Sequence, residues 1–146
     1  PADDNRPRFT ASLLPSNEVP PITSTEQTGS GSVVVHLNLT RDSAGAITAA
    51  TADFEVELSG FPATTAITIA HIHTGAAGAN GGIVVNTGLA AGEVTLTNGV
   101  GRFTKTGISV TAANAQAILN NPAGYYFNVH SSAHPGGVVR GQLVRD

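Results

Sequence analysis

The sequence has 146 residues, 40% of them hydrophobic, with a formal net charge of -3 and no cysteine. That length suits one domain with a sizeable core, and the lack of cysteine excludes disulfides and thiolate metal sites. Charged residues make up only 12%, and the basic ones (six arginines and one lysine) are scattered, which excludes the dense basic face that nucleic-acid binding needs.

Residues 1–8 are polar, carry Pro1 and Pro7, and are expected to form a loose arm ahead of a domain over 9–146. Residues 9–14 read as a first strand. Residues 15–21 (Pro-Ser-Asn-Glu-Val-Pro-Pro) read as extended, because proline fixes φ and disfavours helix in the residue before it. Gly29 and Gly31 lead into an alternation: Val33, Val35, Leu37 and Leu39 share one face, and Val34, His36 and Asn38 the other. His36 stands apart in sequence from the other histidines and reads as a surface residue. Residues 41–45 read as a hairpin turn. The next strand places Phe54, Val56 and Leu58 on one face and Asp53, Glu55 and Glu57 on the other. Three carboxylates on alternate residues read as the solvated side of an antiparallel sheet rather than a cation site. Residues 59–65, with Gly60 and Pro62, form a turn.

The stretch Ala70-His71-Ile72-His73-Thr74-Gly75 follows, with two imidazoles one residue apart where a strand enters a glycine-rich loop. In a strand, residues i and i+2 share a face with Cα atoms roughly 6.6 Å apart. Two neutral imidazoles so placed can converge on one metal ion at about 2.0–2.1 Å. Ile67 and Ile69 fall on the same face in a regular strand. Either the histidines cap the open end of the core, or a bulge re-aims them outward. Residues 74–82 are too glycine-rich for a helix, and they lack the lysine and following helix of a phosphate-binding loop.

Residues 83–86, 93–97 and 100–106 are expected to be short strands, the last two joined through Asn98-Gly99. Residues 111–121 form the one plausible helix, capped by Thr111, with Ala115, Ile118 and Leu119 toward the core and Pro122 beyond its end. Over 124–130, Tyr125, Phe127 and Val129 share one face and Tyr126, Asn128 and His130 the other. With the first set inward, His130 points out of the core, and His134 follows after three residues. Residues 138–144 read as a final strand with Arg140 and Gln142 on a common face. An arginine there needs acceptors for a planar five-donor group, and Glu18 is expected to pair with Arg140. Many short strands, frequent turns and one helix predict an antiparallel β-sandwich or barrel.

Three segments are distinctive: Phe9-Thr-Ala-Ser-Leu-Leu-Pro-Ser-Asn-Glu-Val-Pro-Pro21, His71-Ile-His-Thr-Gly-Ala-Ala-Gly-Ala-Asn-Gly-Gly82, and Tyr125-Tyr-Phe-Asn-Val-His-Ser-Ser-Ala-His-Pro-Gly-Gly-Val-Val-Arg-Gly-Gln-Leu143. Together they resemble the CHRD (chordin-type) domain family over nearly the whole chain. The resemblance implies an all-β, immunoglobulin-like Greek-key sandwich with one short helix, distantly similar to copper/zinc superoxide dismutases. His71 and His73 look like the dismutase copper pair, His130 like the later copper histidine, and Arg140 like the arginine that attracts the anion. No histidine lies between His73 and His130 to bridge two metals, and neither a zinc-site cluster nor the structural cysteines are present. A single copper site of His71, His73 and His130 is the most that transfers, with zinc as the alternative metal and His134 as a further candidate ligand.

The expectation is therefore a metal-binding β-sandwich protein that handles copper or performs modest redox chemistry. The alternative is a non-catalytic structural or adhesive module whose histidines serve hydrogen bonds and loop anchoring. No Ser-His-Asp set, close carboxylate pair or cofactor fingerprint is apparent, so no catalytic residue is assigned. No apolar run approaches the ~20 residues of a membrane-spanning helix. The Thr-, Ser-, Gly-, Ala- and Asn-rich composition suggests a secreted, periplasmic or cell-surface protein, and the start at Pro1 suggests a processed or trimmed N-terminus.

Overall fold

The computed structural model describes residues 5–146. Among them the strands are β1 (Arg8–Leu13), β2 (Ser30–Arg41), β3 (Ile47–Ser59), β4 (Ile67–Thr74), β5 (Ile83–Asn86), β6 (Gly101–Val110), β7 (Tyr125–Ser131), β8 (Val139–Gln142) and β9 (Val144–Arg145), with one helix, α1 (Ala112–Asn120), between β6 and β7. They form two antiparallel sheets, ordered β6-β3-β2-β1-β9 and β5-β4-β7-β8. The predicted all-β sandwich with one short helix is what the chain adopts.

Alternation explains the layering. Val33, Val35, Leu37 and Leu39 of β2 and Phe54, Val56 and Leu58 of β3 are buried, and they share one cluster with Ile72 of β4 and Phe127 and Val129 of β7. Shifting either strand by one residue would turn that whole apolar set to solvent, so the hydrophobic pattern fixes the register. Thr111 Oγ1 accepts from the Asn114 N–H at 3.1 Å and caps α1, which buries Ala115 and Ile118 and leaves Leu119 half-buried. No helix among the described residues is long and apolar enough to cross a membrane.

Three local expectations differ. Residues 93–97 do not form a strand. Glu93 instead closes a turn, accepting from the Ala90 N–H at 3.1 Å and pairing with Lys105 at 2.6 Å, while Val94 is buried as a loop anchor. The Asn98-Gly99 turn does form, with φ of 54° and 74°, between the bridged Thr97 and Val100. Residues 15–21 begin with a 3-10 turn over Pro15–Asn17, because a φ fixed near -65° suits the first helical position as well as extended chain. The single strand expected over 138–144 divides at Leu143, whose N–H goes to the Tyr125 carbonyl, so that β8 joins one sheet and β9 the other. The loose arm expected over 1–8 falls partly outside the described residues. Within them, the Asn5 and Pro7 carbonyls accept from the Leu39 and Leu37 N–H groups at 2.8 and 3.1 Å, and Arg8 opens β1.

Candidate metal centre

The pairing of β4 with β7 shifts register between Ile67 and Ala70. That irregularity settles the two alternatives for the histidine pair. Ile67, Ala70 and Ile72 enter the core, and His71 and His73 turn to the outer face of the sheet. On β7 the same outer face carries Tyr126, Asn128 and His130. His73 lies opposite Tyr126 and His71 opposite Asn128, while Tyr126 and Asn128 lie opposite Gln142 and Arg140 of β8. The outer face of a sandwich normally meets water. Here loops 75–82 and 132–138 cover it, and His71, His73 and His130 are only 3%, 8% and 4% exposed.

One ring nitrogen from each of these histidines lies within 4.8 Å of the others. His73 Nδ1–H donates to the Gly81 carbonyl at 3.0 Å, and His130 Nδ1–H to the Pro135 carbonyl at 2.7 Å. Carbonyl partners of this kind fix the tautomer and aim the other nitrogen's lone pair. His130 Nε2 stands 3.3 Å from His71 Nδ1, and His73 Nε2 is buried with no hydrogen-bond partner. Burial disfavours the charged rings, and each would repel a neighbouring imidazolium. His71 is pushed down to about 4 by burial first, then by His130 and His73. His73 and His130 are also lowered, by burial before any other cause, against the opposing pull of the Gly81 carbonyl and the Asn128 side chain on His73 and of the Pro135 carbonyl on His130. The rings are therefore neutral at pH 7, the state in which imidazole ligates a metal. Three neutral nitrogens converging on one point can hold copper, zinc, iron or nickel.

Arg140, 1% exposed, stands one ring away from this cluster. Its Cζ lies 3.4 Å from the Tyr126 ring centroid, and Tyr126 in turn stacks on His73 at 4.9 Å with 3° between the planes. The guanidinium donates to Asn80 Oδ1 at 3.0 Å and to the Ala79 and Ala76 carbonyls at 2.6 and 3.1 Å. It thus ties down the loop that supplies the Gly81 carbonyl to His73. The expected Glu18–Arg140 ion pair is not made, because the loop carbonyls take these donors, and Glu18 feels Arg140 only through space. Residues 14–17 are nonetheless joined to β8, by two backbone hydrogen bonds between Leu14 and Arg140 and by Asn17 Nδ2 donating to the Arg140 carbonyl.

The other candidates are placed elsewhere. The structure does not bring His134 into the cluster. The turn after β7, closed by the His134 N–H to Ser131 carbonyl bond, aims its ring at Ser24 Oγ, 2.8 Å away, and at Glu26, 3.8 Å away. His36 lies on β2 in the opposite sheet, beside Asp53. Asp53 itself accepts from the Gly107 N–H, Asn38 and Arg6, as expected for a hydrated, hydrogen-bonded face. Sequence reasoning missed Asn128 as a member of the site, although the alternation in β7 puts it on the same face as His130.

Glu18 is buried against this site, 5% exposed, and burial pushes its carboxyl up to about 7, with Arg140 and the Asn128 amide pulling the other way. Between its ordinary value of 4.5 and about 7 the folded chain keeps a proton that the unfolded chain has released, so this group's contribution to stability falls as pH rises. His71 acts oppositely: as pH drops from 6.5 toward about 4, the unfolded chain takes up the proton first and stability falls. Glu18→Gln removes the first effect. Relative to the parent, the metal-free variant is expected to gain on the order of 3 kcal/mol between pH 4.5 and pH 7, at about 1.36 kcal/mol per pKa unit. Urea unfolding at both pH values in the presence of a chelator checks this, and an unchanged difference between variant and parent would contradict it.

The fold and the site together define a β-sandwich protein that carries a buried three-histidine cluster, capable of coordinating a metal ion, on the outer face of one sheet. The chain belongs to the CHRD domain family, whose profile matches residues 9–143. No curated protein matches the sequence.

Proposed function

We propose that the protein binds one metal ion through His71, His73 and His130, that this ion is copper rather than zinc, and that it is held outside the cytoplasm for copper handling or modest redox chemistry. The observation that carries this reading is His73 Nε2, a buried lone pair with no partner beside two other neutral imidazoles. A buried polar atom left unsatisfied costs about 1–3 kcal/mol, and a cation shared by three rings removes that cost. Loop anchoring alone does not explain it: that role uses His73 Nδ1 and His130 Nδ1 and leaves His73 Nε2 idle.

The choice of copper has two supports. Copper(II) binds nitrogen sites most tightly in the divalent series, and His71, His73 and His130 resemble the copper histidines of the dismutases. A secreted, periplasmic or cell-surface location is supported by the composition alone.

Purification without a histidine tag, followed by elemental analysis, tests the function. The expected result is close to one copper per chain. Absence of any transition metal at stoichiometric level, even after incubation with copper(II), would leave the structural-module reading in its place.

A further inference from the structure

We propose that Asn128 Oδ1 is the fourth protein donor to the ion held by His71, His73 and His130. This rests on the metal reading above and supplies the donor which that reading leaves open.

Asn128 is 1% exposed and sits among the three imidazoles. Across the β4–β7 ladder it faces His71; His73 lies on the diagonal beside Tyr126, and His130 lies two residues further along the same face. Directly opposed residues have Cβ atoms about 4.5–5.5 Å apart, and diagonal ones remain within reach of long side chains. The amide therefore occupies the ground on which the ring nitrogens converge.

Hydrogen-bond accounting gives the amide its role. His130 Nδ1 is 2.7 Å from the Pro135 carbonyl, and His130 Nε2 is 2.9 Å from Asn128 Oδ1. Both ring nitrogens thus face acceptor oxygens, but a neutral imidazole carries a single N–H. With that proton on the shorter contact, to Pro135, the Nε2 and Oδ1 lone pairs oppose each other in a buried place.

Turning the amide over does not relieve the conflict. Asn128 Nδ2 is 3.4 Å from the Gly136 carbonyl, and it lies on the same side as Glu18. A Cβ added to Gly137, whose φ is +124°, would come within 2.3 Å of Asn128 Nδ2 and 2.5 Å of Glu18 Oε2. A reversed amide would press its oxygen against the Gly136 carbonyl, which has no proton to give. That carbonyl holds Nδ2 outward and Oδ1 toward the histidines. A cation between Oδ1, His130 Nε2, His71 and His73 Nε2 satisfies all the lone pairs at once, and a nitrogen-and-oxygen donor set of this kind suits copper(II).

The test adds copper(II) alone to the full chain and to two variants, Asn128→Ala and Asn128→Asp, and reads affinity by chelator competition and the copper hyperfine by electron paramagnetic resonance. Asn128→Ala is expected to retain imidazole nitrogen coupling, to bind roughly 10-fold or more weakly, and to show a changed copper hyperfine. Asn128→Asp keeps an oxygen donor and adds a charge, so it is expected to retain tight binding with a shifted spectrum. A parent-like spectrum in Asn128→Ala would overturn the assignment, whether or not affinity falls, since a residue that only positions His130 changes affinity alone. If Asn128→Ala does not fold, an unshifted spectrum in Asn128→Asp overturns the assignment equally. A parent chain that takes up no copper overturns the metal reading and this assignment with it.

Discussion

Replacing His71 or His130 with alanine is expected to weaken copper(II) binding by roughly 100-fold or more, beyond the ~10–100-fold that the outer partners of a ligand are worth. His36→Ala is expected to leave it unchanged. The contrast follows from placement: His71 and His130 have ring nitrogens 3.3 Å apart within the buried cluster, whereas His36 belongs to the other sheet. Each loss removes one of three imidazole donors, and no free histidine lies close enough to substitute, because His134 is engaged with Ser24. Competition against a chelator of known affinity measures the effect, with a thermal melt of each metal-free variant to show that it is folded. Equal loss in all three variants would mean that copper binds nonspecifically to surface imidazoles.

Arg140→Ala is expected to cost at least about 3 kcal/mol, since hydrogen bonds from a charged donor contribute about 1.5–3 kcal/mol each. Its loss leaves the Ala76 and Ala79 carbonyls and Asn80 Oδ1 without their donor, and uncovers the face of Tyr126. Arg140→Lys is expected to recover only part of this, because an ammonium neither forks across a loop nor stacks on a ring as a guanidinium does. The same change should reach the metal centre. A loosened 75–82 loop no longer fixes the Gly81 carbonyl that sets the His73 tautomer, and copper affinity is expected to drop by about 10–100-fold. Denaturant unfolding of the metal-free protein checks the first effect, and a variant within about 1 kcal/mol of the parent would contradict it, as ordinary surface changes fall in that range.

What the sequence made legible was local and periodic. The alternations over Val33–Leu39 and Phe54–Leu58 were readable because each of those strands has one face in the core and one outside. The shared face of His71 and His73 followed from the same period of two. Which face that is depends on a register shift between Ile67 and Ala70, and this is a property of the pairing with β7, some sixty residues away in sequence. His134 shows the same limit. Its spacing from His130 allowed a common site, but its direction is set by Ser24 and Glu26, which reach it from the far end of the chain. Residues 93–97 show the reverse error. Val94 and Leu96 alternate like a strand, yet Glu93 draws the backbone into a turn, and the apolar pair anchors a loop to the core. Asn128 was within reach of sequence reasoning, since the alternation that placed His130 placed it too. Its importance emerged only once both nitrogens of His130 were seen to face oxygens.

A copper(II) titration of the tag-free chain at pH 7, followed by electron paramagnetic resonance, decides whether the three buried, neutral imidazoles form one copper site. The predicted result is a single spectral species that saturates at one ion per chain and carries hyperfine coupling to imidazole nitrogens. A signal that saturates well below one ion per chain, or one without nitrogen coupling, would contradict it.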